Sequence, residues 1–144
     1  MIVGVRHTGV VVRDLARMKL FYESLGFEEV ISDTESGEFI EQVTGIIGVN
    51  LEWVKLKSPD GYLLELLNYK DHSEVREINN SNSNKLGISH LAFTVTDIDS
   101  FCKKIQIAGG SLVNQPALSQ DGKVRVAYCH DLEGVLMEIV ELQN

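Results

Sequence analysis

The chain has 144 residues, 44% hydrophobic and 24% charged, a globular mixture that excludes global disorder and allows a core without disulfides. Its 21 acidic against 13 basic residues give a net charge of −8. This excludes the basic surface that nucleic acids and anionic membranes require. Two cysteines with no CxxC pair exclude a disulfide scaffold and a thiolate zinc centre.

The first element is a β-branched stretch over residues 3–12, which predicts a buried strand. Asp14 follows where a helix N-cap belongs. Leu15, Met18, Phe21, Tyr22 and Leu25 then recur at helical spacing, and Gly26 is placed to end that helix. Strands are predicted over 27–32, 49–56 and 62–69, with a short helix over 38–43 and a turn at Pro59-Asp60-Gly61. Residues 79–84 have no apolar side chain and fall in a linker spanning 70–85. Beyond it Asp97 caps a second helix carrying Ile98, Phe101, Cys102, Ile105 and Ala108, ended by Gly109. Strands are predicted over 111–114, 123–129 and 135–142, with Glu133-Gly134 as the last turn.

The two halves repeat. At an offset of 83, His7 falls on His90, Val12 on Val95, Asp14 on Asp97, Leu15 on Ile98 and Gly26 on Gly109. At an offset of 73, residues 60–67 match residues 133–140, and Glu65 falls on Glu138. The first half therefore carries about ten extra residues in its middle. The reading is an α+β protein of two tandem βαβββ modules, 3–69 and 86–142. Neither would have much core alone, so they are expected to form one domain spanning 1–144 around a shared cleft.

Four ionisable residues fall within the predicted strands: His7, Glu65, His90 and Glu138. A buried carboxylate is costly unless it is paired or binds a metal. Alternation puts Leu63 and Leu67 on the face of Glu65, and Leu136 and Val140 on that of Glu138. These faces are apolar and argue against simple exposure. Two imidazoles and two carboxylates in matching positions suit one divalent transition ion. On an octahedral ion they leave two positions for a substrate with two neighbouring oxygens. His72 is read as exposed, His130 as lying at a strand end, and Lys123 and Arg125 as a solvated face. No apolar run approaches the ~20 residues of a membrane span, and the N-terminus lacks signal-peptide character. A soluble cytoplasmic protein is expected.

Several motifs together resemble the vicinal oxygen chelate superfamily: His7 to Leu15, Phe21 to Phe27, Pro59-Asp60-Gly61 with Glu65, and His90 with Glu138. That group includes glyoxalase I, methylmalonyl-CoA epimerase, extradiol dioxygenases, and fosfomycin and bleomycin resistance proteins. The resemblance implies His7, Glu65, His90 and Glu138 as ligands of one divalent ion, Zn, Ni, Co or Mn. It implies a lyase, or an isomerase or epimerase, that moves a proton next to a carbonyl through a metal-bound enediolate, with Glu138 and Glu65 as candidate bases. The substrate would be a small molecule with two neighbouring oxygens or an acyl thioester. Dimers are common in the group, so a homodimer is among the expectations.

Departures bear on the substrate. Where bacterial glyoxalase I has an Arg four residues after the first His, this chain has Val11; where it has an Asn four after the first Glu, Tyr69 stands. The apolar run from Gly9 to Val12 is similar to the epimerase pattern, yet epimerases commonly carry Gln at the position of Glu65. The alternatives are an extradiol-type dioxygenase, whose two-His, one-carboxylate site Glu65 would obstruct, and a metal-free binding or resistance protein. A fosfomycin thiol transferase would carry His in place of Glu65.

Overall fold

The computed structural model describes residues 1–70 and 80–143. It divides into two compact units, Met1–Arg76 and Glu77–Asn144. Much of the predicted 70–85 linker, His72 included, lies outside the described residues.

In the first unit, Asp14 accepts a hydrogen bond from the Arg17 N–H (3.0 Å) and starts α1, Leu15–Ser24. Gly26, at φ 112°, takes the left-handed conformation that ends it. The sheet is ordered β1-β4-β3-β2, from β1 (Thr8–Val11), β2 (Glu28–Ser36), β3 (Asn50–Lys57) and β4 (Leu63–Tyr69). β1 runs parallel to β4, and the other pairs are antiparallel. Met18, Phe21 and Tyr22 of α1 are buried, as are Val54 and Leu56 of β3 and Leu64 and Leu66 of β4. α1 packs on β3 and β4. The buried Asn68 amide donates to the Val12 carbonyl (3.0 Å) and the Arg13 carbonyl (2.8 Å), fastening the exit of β1 to β4.

The extra residues of the first half supply α2, Glu38–Thr44, one residue longer than its predicted span. Ile40 joins Val49 and Leu51 in a small core against which Trp53, Leu67 and Tyr69 pack. This core lies on the sheet face opposite α1. Leu51 pairs with Tyr69, Trp53 with Leu67 and Lys55 with Glu65, and all six side chains share that face.

In the second unit, Asp97 accepts from the Ser100 N–H (2.9 Å) and starts α3, Ile98–Ile107. The sheet path is β5-β9-β8-β6, from β5 (Leu91–Val95), β6 (Ser111–Leu112), β8 (Val124–His130) and β9 (Leu136–Leu142); β7 (Ala117–Leu118) pairs with β8 off that path. β5 runs parallel to β9, as β1 does to β4. Ile98, Cys102 and Ile105 are buried, with Ala127, Cys129, Met137 and Ile139 in the sheet beneath. Both thiols are free and buried, and burial pushes Cys129 up to about 12 and raises Cys102 as well. Neither thiol is a nucleophile near neutral pH.

The predicted strand 3–12 shortens to Thr8–Val11, leaving Val3 and Val5 exposed. β4 begins at Leu63, which leaves residues before His7 no partner strand. β2 runs on to Ser36 because β3 stays in register as far as Asn50. The strand predicted over 111–114 shortens to β6, and an unforeseen β7 follows beyond Pro116, which has no N–H to donate. His130 ends β8 as expected; it is buried, its Nε2 2.8 Å from the Ser81 carbonyl.

Arg125 departs from its expected solvated face. Its guanidinium forks onto Asp99 (2.8 and 2.9 Å) and reaches Glu141 (3.5 Å). The fork holds Asp99 below the ordinary carboxylate range. A depressed carboxylate stabilises the fold above its unfolded pKa, and that contribution is lost as pH falls through the folded value. In urea melts, Asp99→Asn should therefore be less stable than wild type at pH 7, with the gap closing as acid takes the pH below the ordinary carboxylate range. A gap unchanged by acid would show that the pair does not stabilise the fold.

Candidate functional site

His7 and His90 occupy the same place in their units, one residue ahead of β1 and of β5. They were expected inside strands; instead the pairing of β1 and β5 starts just after them. Gly9 lies opposite Glu65 across β1 and β4, and Ala92 lies opposite Glu138 across β5 and β9. Each His thus flanks the Glu of its own unit. His7 Nε2 lies 3.0 Å from Glu65 Oε2, and His90 Nε2 lies 3.4 Å from Glu138 Oε2.

The faces are less apolar-buried than expected. β4 alternates between the buried Leu64, Leu66 and Asn68 and the half-buried Leu63, Glu65, Leu67 and Tyr69. The side chains of Glu65 and Glu138 are 13% and 26% exposed, those of His7 and His90 26% and 28%. All four can be reached from solvent, as an ion and a substrate require.

The donor geometry fits a metal. Two ligands about 2.1 Å from one ion stand about 3.0 Å apart at a right angle and about 3.4 Å apart at the tetrahedral angle. Both observed separations fall on this range. Each unit therefore offers one nitrogen and one oxygen spaced to share an ion, and a proton competes for the same lone pairs. Among the described residues no group of three or more His, Cys, Asp and Glu side chains is gathered to hold an ion, so the four expected ligands stand as two pairs. His90 Nδ1 meets Ser89 Oγ at 3.0 Å, whereas His7 Nδ1 is buried with no hydrogen-bond partner among the described residues.

One residue beside Glu65 went unread in the sequence. Lys55 Nζ lies 3.3 Å from Glu65 Oε1 and 4.6 Å above the Trp53 ring. The turn at Pro59-Asp60-Gly61 could have found it: a hairpin centred on Asp60 sets residues 55 and 65 opposite each other. The matching partner of Glu138 is Tyr128, whose ring meets His90 edge-on at 5.3 Å. A cleft of about 880 Å³ on the α1 side of the first sheet contains none of the four residues. Of its cations, Lys19 pairs with Glu29 and Lys70 with Glu52.

No helix of the described residues is long and apolar enough to cross a membrane. The family model of the glyoxalase/bleomycin resistance protein/dioxygenase superfamily matches residues 4–139. A probable lactoylglutathione lyase of Synechocystis sp. is 29% identical over 106 residues, covering 69% of this chain and 81% of that protein. A glyoxalase family protein from Bacillus cereus superposes with a TM-score of 0.91 at 24% identity, over 100% of this chain and 97% of that one. A glutamate-to-glutamine variant of a Listeria monocytogenes fosfomycin resistance protein, solved with Mn(II) and a dihydroxypropylphosphonic acid, superposes with a TM-score of 0.64 at 18% identity, over 96% of this chain and 90% of that one. With its two βαβββ modules and a family match along nearly its whole length, the chain belongs to the glyoxalase/bleomycin resistance protein/dioxygenase superfamily.

Proposed function

We propose that this chain is a divalent-metal enzyme that moves a proton at a carbon next to a carbonyl: a lyase of the glyoxalase I type, or an isomerase of the methylmalonyl-CoA epimerase type. His7, Glu65, His90 and Glu138 hold one ion per chain, Zn, Ni, Co or Mn, in a single domain spanning 1–144. The observation that carries this reading is the recurrence of one His Nε2–Glu Oε2 pair at matching positions of both units, at ligand spacing. The likeness to a probable lactoylglutathione lyase supports it.

The ion supplies Lewis acidity that polarises the substrate carbonyl. Glu138, the more open of the two carboxylates, takes the proton from the neighbouring carbon and returns it. Glu65 stays a ligand. The substrate is a small molecule with two neighbouring oxygens or an acyl thioester. Val11 and Tyr69 argue against a glutathione carboxylate at this end of the face. Val11 is exposed and apolar, and Tyr69 packs into the small core under α2. Neither offers a cation or an amide to an anion. The protein acts in the cytoplasm, and a homodimer fits the same reading.

Metal-reconstituted enzyme is to be screened in deuterium oxide against α-hydroxy carbonyl compounds, α-keto hemithioacetals and acyl thioesters. Turnover should place deuterium at the carbon beside the carbonyl. Glu138→Gln should lower turnover by about 10²–10⁴-fold, the ordinary contribution of a positioned base. Full activity in Glu138→Gln, or oxygen consumption with ring cleavage of a catechol, would overturn this reading.

A further inference from the structure

Glu65 and Glu138 hold matching positions, yet their surroundings differ in one charge. Lys55 engages Glu65 Oε1 at 3.3 Å, while Glu65 Oε2 faces His7 at 3.0 Å. Both carboxylate oxygens are therefore engaged, by different partners. Lys55 is itself held. It stands opposite Glu65 in the β3–β4 register, and its ammonium lies over Trp53, which packs against the core under α2. At Glu138 the matching residue is the uncharged Tyr128, and His90 is the ion-pair partner found among the described residues.

We propose that Lys55 is a positioning residue that restricts Glu65 to ligation through Oε2. This inference rests on the metal reading above. A carboxylate with both oxygens free can take two positions on an ion. With Oε1 bound to an ammonium it takes one, and a position that substrate needs stays open. The same cation repels the divalent ion and draws charge from the carboxylate, so the tether also weakens metal binding. Among the described residues Glu138 has no such tether, which leaves it free to move between ion and substrate. Two matching carboxylates thereby divide into a fixed ligand and a mobile one.

The test uses Co(II) alone, titrated into the metal-free full-length protein and followed by calorimetry and visible absorption. Lys55→Met keeps a side chain over Trp53 and removes the charge; Lys55→Gln removes it with a different shape. Both should bind Co(II) about tenfold more tightly than wild type, the order expected for taking a unit charge from beside a divalent ion in a water-like dielectric. Their visible absorption should change as the second oxygen of Glu65 takes a further position on the ion. Lys55→Arg should restore wild-type affinity and absorption. A purely structural role for Lys55 would lower the melting temperature without tightening binding. Unchanged or weaker Co(II) binding in both charge-removing variants, or failure of Arg to restore it, would overturn the proposal. If wild type itself binds no Co(II), the metal reading falls first and takes the tether with it.

Discussion

His90→Ala should take metal content from about one ion per chain to none detectable, with the metal-free protein melting close to wild type. The side chain is partly exposed and meets Glu138, Ser89 and the edge of Tyr128, so its loss should open no core cavity. What disappears is an imidazole nitrogen at ligand distance from a carboxylate, leaving the second unit a lone, weakly held oxygen donor. His7→Ala should act in the same way through Glu65. Elemental analysis after reconstitution with Zn, Ni, Co or Mn and desalting measures the outcome. Stoichiometric metal in either variant would remove that histidine from the ligand set.

Leu66→Ala and Ile139→Ala should each cost about 2–5 kcal/mol, the range for truncating a fully buried aliphatic side chain. Both are fully buried, Leu66 in the first unit and Ile139 in the second. The pair also tests whether residues 1–144 fold as one domain. In a single cooperative transition, each substitution lowers the one midpoint seen by fluorescence and by circular dichroism. If the units fold separately, each variant shifts its own transition and leaves the other in place. Urea melts of both variants and wild type distinguish the two, and split transitions would refute the single-domain proposal.

The repeat was legible because it is written in residue types with a backbone reason. Asp14 and Asp97 cap helices, Gly26 and Gly109 end them in the left-handed region, and the apolar stripes between them face a sheet. The same register singled out His7, Glu65, His90 and Glu138, but not that each Glu would stand beside the His of its own unit. Less legible was whatever depends on the length of a neighbouring strand. His7 and His90 lie before their strands because strand length is set by pairing, which no local pattern reveals. Arg125 was read as solvated because Asp99, its partner, stands 26 positions away on a helix. Lys55 was missed for a different reason: attention to which residues repeat hides the ones that do not. Its counterpart Tyr128 shares neither charge nor shape with it.

That asymmetry extends to α2. Glu38–Thr44 covers the Leu51, Trp53, Leu67 and Tyr69 end of a face whose other end carries Lys55 and Glu65. The cover is a connection between strands, and connections tolerate insertion and exchange far better than the strands they join. Mutation can therefore reshape what this end of the face accepts, by lengthening, shortening or recolouring one short helix, without moving a single proposed ligand. On the proposed reading, chemistry and selectivity would be inherited on different segments of the chain, so a new substrate could be acquired while the old reaction is kept.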